Sequence, residues 1–274
     1  MTGMTDIAVI MSVYQNDKLE FVRESVQSIL NQTYPQFHFY IIFDGPVSSD
    51  IESYISSLPD ERIRTSRLEK NSGLAVALNF LLEKVLKKSD YIFIARMDAD
   101  DISMPERFEK QRKFLIDNHS VSVVGSWYEE IDEDGKNISY RELPVTHEEI
   151  RLFFMKRSPF AHPSVMFNRN FFAKAGYYSS DNYRMEDYVL WGNAINSGLI
   201  LANIQEYLLK FRIDKNFYKR RSGIKFGYNF IVTKFQINSL LKEPIKAYIF
   251  SAITGLVRMM PAYCLKYLYK SMRK

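Results

Sequence analysis

Cysteine is nearly missing from this 274-residue sequence, which contains Cys264 alone. A single cysteine cannot form an intrachain disulfide, and no cysteine–histidine spacing typical of a zinc site is present. The first residues, Met1–Val13, lack the basic segment and long apolar core of a signal peptide, so we expect none. These absences together predict a cytoplasmic protein.

Two glycine-rich phosphate-binding patterns are also missing. The sequence has no G-x-G-x-x-G fingerprint and no Walker A loop, since Asn71-Ser72-Gly73 is not followed by Gly-Lys-Ser/Thr. Asn71-Ser72-Gly73 nevertheless precedes a helical pattern, and a helix N-terminus can place backbone N–H groups near a phosphate. Plain helix capping is the alternative role of this tripeptide.

Acidic residues are scarce in residues 219–274, which we call the tail. The tail holds 12 of the 37 lysines and arginines but only one of the 32 acidic residues, Glu243. Residues 1–218 therefore keep 25 basic and 31 acidic residues, a net charge of −6, against +11 for the tail. Such a basic segment is typical of proteins that bind nucleic acid or an anionic membrane.

No apolar run is long enough to suggest a membrane span. In the tail, Pro244 and Pro261 bound a helical pattern of about 16 residues, which at about 1.5 Å each falls short of the roughly 30 Å hydrocarbon core. Lys246 and Arg258 also interrupt it. Its apolar stripe consists of Ile245, Tyr248, Ile249, Ala252, Ile253, Leu256, Val257 and Met260. We predict a helix lying in the plane of a membrane surface, and a helix packed on the body is the alternative.

The first hundred residues alternate between strand and helix patterns. Repeated units of this kind predict a mostly parallel sheet with helices on both faces. The runs in chain order are Ile7–Ser12 (strand), Leu19–Leu30 (helix), Phe37–Phe43 (strand), Ile51–Leu58 (helix), Ile63–Leu68 (strand), 74–87 (helix) and Tyr91–Ala95 (strand). Further along, we expect strands at Ser164–Phe167 and Leu199–Ile204 and a helix at Thr146–Met155 with a capping box.

Three carboxylates follow the strand Tyr91–Ala95 within four residues, in Arg96-Met97-Asp98-Ala99-Asp100-Asp101. Open α/β sheets bind ligands at the carboxyl ends of their strands. Like charges this close are usually neutralised by a cation, and carboxylate oxygens together with substrate phosphates suit Mg²⁺ or Mn²⁺. The sequence therefore predicts a metal–diphosphate site, with a solvated loop or helix cap as the alternative.

Other polar side chains are candidates for the same site. Ser12 and Tyr14 end the first strand and Asp44 ends the second, so all three belong to that sheet edge. Glu186-Asp187 begins a helical pattern and could supply a general base or cap the helix.

Basic candidates are more ambiguous. His162 stands alone and could be structural. Arg212 and Lys219-Arg220-Arg221 could screen a diphosphate or simply be solvated.

Taken together, these motifs resemble family-2 glycosyltransferases of the GT-A fold. More narrowly, they are similar to bacterial enzymes of capsule, exopolysaccharide and O-antigen assembly, including the amylovoran-type group. The likeness covers about residues 5–221. The matching strings are Met11–Tyr14, Glu24–Tyr34, Asp44–Pro46, Asn71–Asn79, Ala95–Ile102, Pro105–Gln111, His162–Phe167 and Glu186-Asp187.

The resemblance implies a role for each matching position. It implies that Asp100 and Asp98 hold Mn²⁺ or Mg²⁺ and that Asp187, supported by Glu186, is the catalytic base. It places the donor, a nucleotide-diphosphate sugar with a UDP-sugar favoured, near Ser12, Tyr14, Asp44, Asn71, Gly73, Arg96 and Asp98. His162, Trp191 and Arg212 would lie on the acceptor or donor side. Phe43 stands where many relatives carry a first acid, so base recognition would rest more on Asp44.

The resemblance also implies inverting transfer to a saccharide acceptor, which is expected to be lipid-linked. We expect residues 1–218 to form a GT-A domain, with a nucleotide-binding half at about 1–102 and an acceptor half at about 103–218. The tail would be a helical basic extension on the cytoplasmic face of an anionic membrane, with no nucleic-acid partner.

Two other functions remain open. A nucleotidyltransferase shares the alternating pattern and the metal carboxylates, but its glycine-rich basic loop is missing from Gln15–Lys18. A non-catalytic protein of the membrane surface would explain the tail and leave the acidic cluster unexplained.

Overall fold

The computed structural model describes residues 5–182 and 184–271. The strands are β1 (Ile7–Val13), β2 (Phe37–Phe43), β3 (Ile63–Arg67), β4 (Phe93–Asp98), β5 (Ile102–Ser103), β6 (Val121–Ile131), β7 (Asn137–Arg141), β8 (Met166–Asn168) and β9 (Ile200–Arg212). The helices are α1 (Leu19–Leu30), α2 (Ser49–Ser57), α3 (Leu74–Leu86), α4 (Arg107–Asp117), α5 (His147–Phe154), α6 (Phe171–Ala175), α7 (Glu186–Asn196), α8 (Phe217–Arg220), α9 (Ile224–Leu240), α10 (Ile245–Arg258) and α11 (Ala262–Ser271).

In these two ranges the strands form one nine-stranded sheet in the order β3-β2-β1-β4-β8-β6-β9-β5, with β7 paired to β6. The first four strands are parallel, as the alternating pattern predicts. Beyond β4 the sheet is mixed, because β8 runs antiparallel to both β4 and β6 while β6 and β9 are parallel. The predicted α/β architecture is confirmed, with a purely parallel arrangement in the first half only.

Both faces of β1 are buried, which explains its continuous apolar run. Because successive side chains of a strand point to opposite faces, Ala8 and Ile10 join one hydrophobic core, together with α3. Ile7, Val9 and Met11 join the other core, together with α1 and α2. At the carboxyl end of β1 the apolar run gives way to Ser12 and Tyr14, which are half-buried.

The strand register brings the predicted site positions to that edge. Ser12 pairs with Ile42 of β2 on one side and with Asp98 of β4 on the other. The Asp44 amide donates to the carbonyl oxygen of Val13 at 2.8 Å. The ends of β1, β2 and β4 therefore lie side by side.

Several predicted strands have different bounds in the structure. The strand expected at Tyr91–Ala95 is found at Phe93–Asp98. The strand expected at Leu199–Ile204 continues to Arg212 in the structure. A bulge at Gln205 and Glu206 interrupts the apolar pattern, so the sequence indicates an earlier end, but pairing with β6 resumes at Tyr207. The strand expected at Ser164–Phe167 begins later, since a 3₁₀ turn at His162–Ser164 precedes β8.

The capping box expected at the start of the 146–155 helix is confirmed. Thr146 is the N-cap of α5, and its hydroxyl accepts the backbone N–H of Glu149 while the Glu149 carboxylate accepts the N–H of Thr146.

In the tail, small residues bring three helices close together. A Cβ atom on Gly192 of α7 would lie 2.9 Å from the Ile237 side chain of α9. One on Gly227 of α9 would lie 2.7 Å from the carbonyl oxygen of Gly255 of α10. Thus α9 packs on α7, and α10 packs on α9.

The face of α10 that packs on α9 is not its apolar stripe. The buried residues of α10 are Ala247, Ser251 and Gly255. Ile245, Ile249, Ile253 and Leu256 of the apolar stripe are 55–75% exposed. The helix is therefore packed on α9 on one side and apolar on its open side, and its predicted place on a membrane surface stays a prediction. Among the described residues no helix is long and apolar enough to cross a bilayer, and residues 272–274 of the tail lie outside that range.

Gly45 offers a test of the sheet edge. Its φ of +82° disfavours a side chain, and a Cβ atom there would lie 2.4 Å from the backbone nitrogen of Asn71. We expect Gly45→Ala to lower the free energy of unfolding by about 2–4 kcal/mol in urea denaturation, because strain and a backbone clash add. Gly135→Ala is the control: its φ is +79° but the space is open, so strain alone costs about 1–2 kcal/mol. Equal losses would contradict the close contact between residues 45 and 71.

Candidate active site

Asp98, Asp100 and Asp101, which we call the acidic turn, lie where β4 ends, and Asp98 is the last residue of that strand. One carboxylate oxygen from each lies within 4.8 Å of the others. Asp101 is buried, whereas Asp98 and Asp100 are half-buried. The three predicted carboxylates therefore converge on one point at the sheet edge.

The backbone of the acidic turn is held by side chains from distant elements. The Ser25 hydroxyl of α1 donates to the Asp98 carbonyl oxygen at 2.7 Å. From β9, the Arg212 backbone N–H donates to the Asp101 carboxylate at 2.8 Å, and its Nε donates to the Asp100 carbonyl oxygen at 2.8 Å. Arg212 is only 2% exposed. It therefore supports the acidic turn from within the protein, and its place on the acceptor or donor side stays a prediction.

Electrostatic repulsion within the acidic turn is strong. Burial, and then the charge of Asp98, raise the pKa of Asp100 to about 6. Burial, and then the charges of Asp100 and Asp98, raise the pKa of Asp101 well above its ordinary value. Within the described ranges, the second carboxylate oxygen of Asp101 is buried without a hydrogen-bond partner. The acidic turn thus offers clustered carboxylate oxygens that repel one another, and one buried oxygen without a partner. This arrangement fits a divalent cation such as Mg²⁺ or Mn²⁺.

Arg96 links the acidic turn to a second acidic group. Its guanidinium is 1% exposed and forms an ion pair with Asp98. Its Nε and Nη1 atoms have no hydrogen-bond partner in the part of the chain that the structure describes. Its positive charge opposes the upward pKa shifts of Glu186 and Asp187, so it lies near both acidic groups.

Glu186 and Asp187 occupy the first turn of α7. Burial, and then the charge of Asp187, raise the pKa of Glu186 to about 7, and the charge of Asp98 adds to this. Burial raises the pKa of Asp187, whose carboxylate accepts a hydrogen bond from the Ser158 hydroxyl at 3.4 Å. Carboxylates that titrate closer to neutral pH are suited to general-base catalysis. The pair lies close enough to the acidic turn for their charges to interact.

At the end of β1 the structure adds a carboxylate that we did not predict. Ser12 and Tyr14 are half-buried at the sheet edge, and the Tyr14 N–H donates to Asp17 at 2.9 Å. Burial, and to a lesser degree the charges of Asp100 and Asp98, raise the pKa of Asp17 well above its ordinary value. The available signal was an acid three residues beyond Tyr14, just past the strand end.

The first basic residues of the tail also reach the acidic turn. Arg220 of α8 forms a 2.6 Å ion pair with Asp214, and its charge lowers the pKa of Asp100 against the larger effect of burial. The charge of Arg220 also lowers the pKa of Tyr14, against the larger effect of burial. Of the three basic candidates at 219–221, Arg220 thus lies beside the predicted diphosphate position.

Asp44 has a role in the structure that the sequence does not reveal. It is 3% exposed, and its two carboxylate oxygens accept the backbone N–H groups of Ser72 and Gly73 at 2.7 and 2.9 Å. Two of the N–H groups that could face a phosphate are therefore bound to Asp44. Asn71, the first residue of the tripeptide, is exposed. A carboxylate has about four acceptor positions, so Asp44 keeps capacity for a further donor.

His162 and Trp191 lie behind the Glu186–Asp187 side of the site. The half-buried His162 shares a 2.8 Å hydrogen bond with the Tyr178 hydroxyl, and burial lowers its pKa well below the ordinary value. Trp191 is fully buried, and its ring lies edge-on to His162 at 6.1 Å. Trp191 therefore supports His162 from the core. Tyr178 was not among the predicted residues.

This sheet, with acidic groups at its edge, has the architecture of the GT-A glycosyltransferases. Solved structures of S. aureus TarS share the fold. Its residues 1–349 in complex with UDP-GlcNAc give a TM-score of 0.67 at 15% identity, covering 92% of this chain and 72% of that one. The complex with UDP gives 0.65 at 17% identity, covering 92% and 71%. This chain spans 42% of a longer TarS structure.

The sequence comparisons are more specific. Residues 8–176 match the family model described as glycosyl transferase family 2. The amylovoran biosynthesis glycosyltransferase AmsE of Erwinia amylovora is 32% identical over 97% of this chain and 99% of its own length. An Escherichia coli UDP-Gal:alpha-D-GlcNAc-diphosphoundecaprenol beta-1,3-galactosyltransferase is 33% identical over 96% and 94%. The chain belongs to glycosyl transferase family 2 and is a glycosyltransferase, which confirms the resemblance seen in its motifs.

The acidic turn can be tested as a cation site by thermal unfolding. We expect Mn²⁺ to raise the melting temperature of the natural chain, because a ligand at 100 times its Kd adds about 2.7 kcal/mol. Asp100→Asn should lose most of this increase. Without Mn²⁺ the variant should be at least as stable, since the amide relieves repulsion with Asp98. Asp90→Asn, at an exposed position, is the control. An equal Mn²⁺ effect in Asp100→Asn would remove this residue from the site.

Proposed function

We propose that this glycosyltransferase transfers a sugar, with inversion, from a UDP-sugar to a lipid-linked saccharide acceptor in surface-polysaccharide synthesis. The observation that carries the proposal is the presence of two acidic groups, the acidic turn and Glu186–Asp187, that both interact with the charge of Arg96. One group suits a metal-bound diphosphate and the other a base. Support for the donor and acceptor comes from the names of the relatives, which include UDP-sugar complexes and a diphosphoundecaprenol acceptor.

On the donor side, Asp98 and Asp100 would hold Mg²⁺ or Mn²⁺. A bound divalent ion would neutralise the charge that develops on the leaving diphosphate. Arg220, beside Asp100, adds a positive charge at the same place. Ser12, Tyr14 and Asp44 lie at the neighbouring strand ends, where they would contact the nucleoside.

On the acceptor side, Asp187 would act as the general base. It takes the proton of the acceptor hydroxyl as that oxygen attacks the anomeric carbon, and the bond from this carbon to the diphosphate oxygen breaks. The charges of Arg221 and Arg96 act on Asp187 and oppose the rise of its pKa on burial. A single base and one direct displacement give inversion at the anomeric carbon.

Replacing the base separates chemistry from binding. We expect Asp187→Asn to lower kcat by about 10²–10⁴-fold while UDP affinity, measured by calorimetry, stays unchanged. The assay would use UDP-Gal, UDP-Glc or UDP-GlcNAc with Mn²⁺ and a short-chain GlcNAc-diphosphate lipid. The control is Glu148→Gln, an exposed acid in the first turn of α5. Full turnover by Asp187→Asn would contradict its role as base.

The reaction products decide between transferase chemistries. Release of UDP together with a glycosylated lipid supports glycosyl transfer. Release of pyrophosphate would instead indicate the nucleotidyltransferase alternative.

We further propose that the tail attaches the enzyme to an anionic membrane surface. Four residues of the apolar stripe of α10 are largely exposed, and the tail has 12 basic residues against one acidic residue. Each basic residue near an anionic leaflet contributes about 1 kcal/mol of binding. This would place the active site close to the head group of a lipid-linked acceptor.

Vesicle co-sedimentation tests this attachment. With vesicles that contain phosphatidylglycerol, Ile249→Asp combined with Ile253→Asp should reduce the bound fraction several-fold, because charge replaces exposed apolar surface. Leu152→Asp is the matched control, since Leu152 of α5 is 65% exposed on the body. Unchanged binding by the double variant would contradict attachment through α10.

A further inference from the structure

Lys234, in the middle of α9, is a buried cation with no part in the mechanism above. It is 0% exposed. Its ammonium donates to the Met155 carbonyl oxygen at 2.8 Å, to the Tyr188 hydroxyl at 2.8 Å and to the Phe154 carbonyl oxygen at 3.5 Å. These three acceptors match the three donors of a lysine. All three acceptors are uncharged. The ammonium of Lys234 therefore loses contact with water without gaining a carboxylate among these acceptors.

The pKa of Lys234 reflects this desolvation. Burial, and then the charge of Arg258 on α10, lower the pKa of Lys234 to about 7, while Glu243 opposes the shift. Glu243 itself forms an ion pair with Arg151 of α5. The ammonium of Lys234 is thus held in its buried position by neutral acceptors at the end of α5 and on α7.

Two of the acceptors are at the end of α5. Phe154 is the last residue of that helix and Met155 follows it. Carbonyl groups at a helix C-terminus lack helical partners and carry partial negative charge, which a lysine satisfies well. Three residues beyond Met155, the Ser158 hydroxyl donates to Asp187. Lys234 thus fixes the start of the segment that reaches the proposed base.

The third acceptor directly follows the proposed base in sequence. The Tyr188 hydroxyl accepts from Lys234 and donates to the Phe154 carbonyl oxygen at 3.0 Å. Its ring stacks on Phe154 with centroids 4.3 Å apart and planes at 15°. Lys234, Tyr188 and the end of α5 therefore form one connected network around the first turn of α7.

Helix α9 also holds α7 on both sides of that turn. Before the turn, the Asn182 side chain donates to the Thr233 hydroxyl at 3.0 Å. One turn further along α7, Gly192 packs closely on Ile237. The three contacts together fix the position of the first turn of α7 relative to α9.

We propose that Lys234 is a positioning residue for Asp187. It joins the end of α5 to Tyr188 and so sets where the Asp187 carboxylate meets the acceptor hydroxyl. The proposal rests on the proposed role of Asp187 as base. It gives α9, the first long helix of the tail, a part in catalysis that is separate from membrane attachment.

The test is a double-mutant cycle on transfer to the short-chain GlcNAc-diphosphate lipid. Lys234→Met keeps an unbranched stem and removes the ammonium, and Tyr188→Phe keeps the ring and removes the hydroxyl. We expect each to lower kcat on the order of 10-fold to 10²-fold, because small displacements of a reacting group are costly. The KM for the donor and the affinity for UDP should stay unchanged. Because both act through one network, the double variant should be little worse than either single variant.

Lys113→Met applies the same substitution at an exposed lysine of α4 and should retain full kcat. If Lys234→Met or Tyr188→Phe keeps full kcat, or if their effects multiply, the positioning role is wrong while the proposed function stands. A parallel loss of UDP affinity would point to general unfolding and would also overturn it. A natural chain without transferase activity would overturn the proposed function itself, and this inference with it.

Discussion

Five carboxylates surround one buried guanidinium, that of Arg96, and this balance of charge is the constraint on which the site depends. Asp98 pairs with it directly, and its field also reaches Asp100, Asp101, Glu186 and Asp187. Burial raises the pKa values of Asp100, Asp101, Glu186 and Asp187. Repulsion from neighbouring carboxylates adds to the shift for Asp100, Asp101 and Glu186, and the charge of Arg96 opposes it without cancelling it. The surrounding scaffold, Arg212 and Ser25 above all, holds the acidic turn in place against this repulsion. We interpret the remaining negative charge as the attraction for a cation that accompanies a diphosphate.

The sequence predicted the parts of this arrangement that depend on local pattern. Buried-strand runs followed by polar residues located β1, β2 and β4, and parallel pairing then had to bring Ser12, Asp44 and Asp98 to one edge. The capping box at Thr146 and the acidic turn are likewise visible within a few residues of sequence.

Other features depend on contacts between distant residues, which local patterns do not contain. The sequence around Arg212 gives no sign of a partner, yet Arg212 is buried behind the acidic turn. Its partner Asp101 is 111 positions away in the sequence. Trp191 has an aromatic character that suits a sugar site, and packing places it in the core. The full length of β9 could not be predicted because a bulge interrupts its apolar pattern. The packing face of α10 could not be predicted because it consists of small residues, whereas the apolar stripe gives the stronger sequence signal.

A crystal structure with UDP and Mn²⁺ would show whether distant aspartates converge on one metal–diphosphate position. Anomalous scattering would locate the manganese. We expect the ion to be bound to carboxylates of the acidic turn, the diphosphate to lie between the ion and Arg220, and Asp187 to be accessible to an acceptor. Manganese and UDP bound on another face of the sheet, away from Asp98 and Asp100, would contradict this expectation.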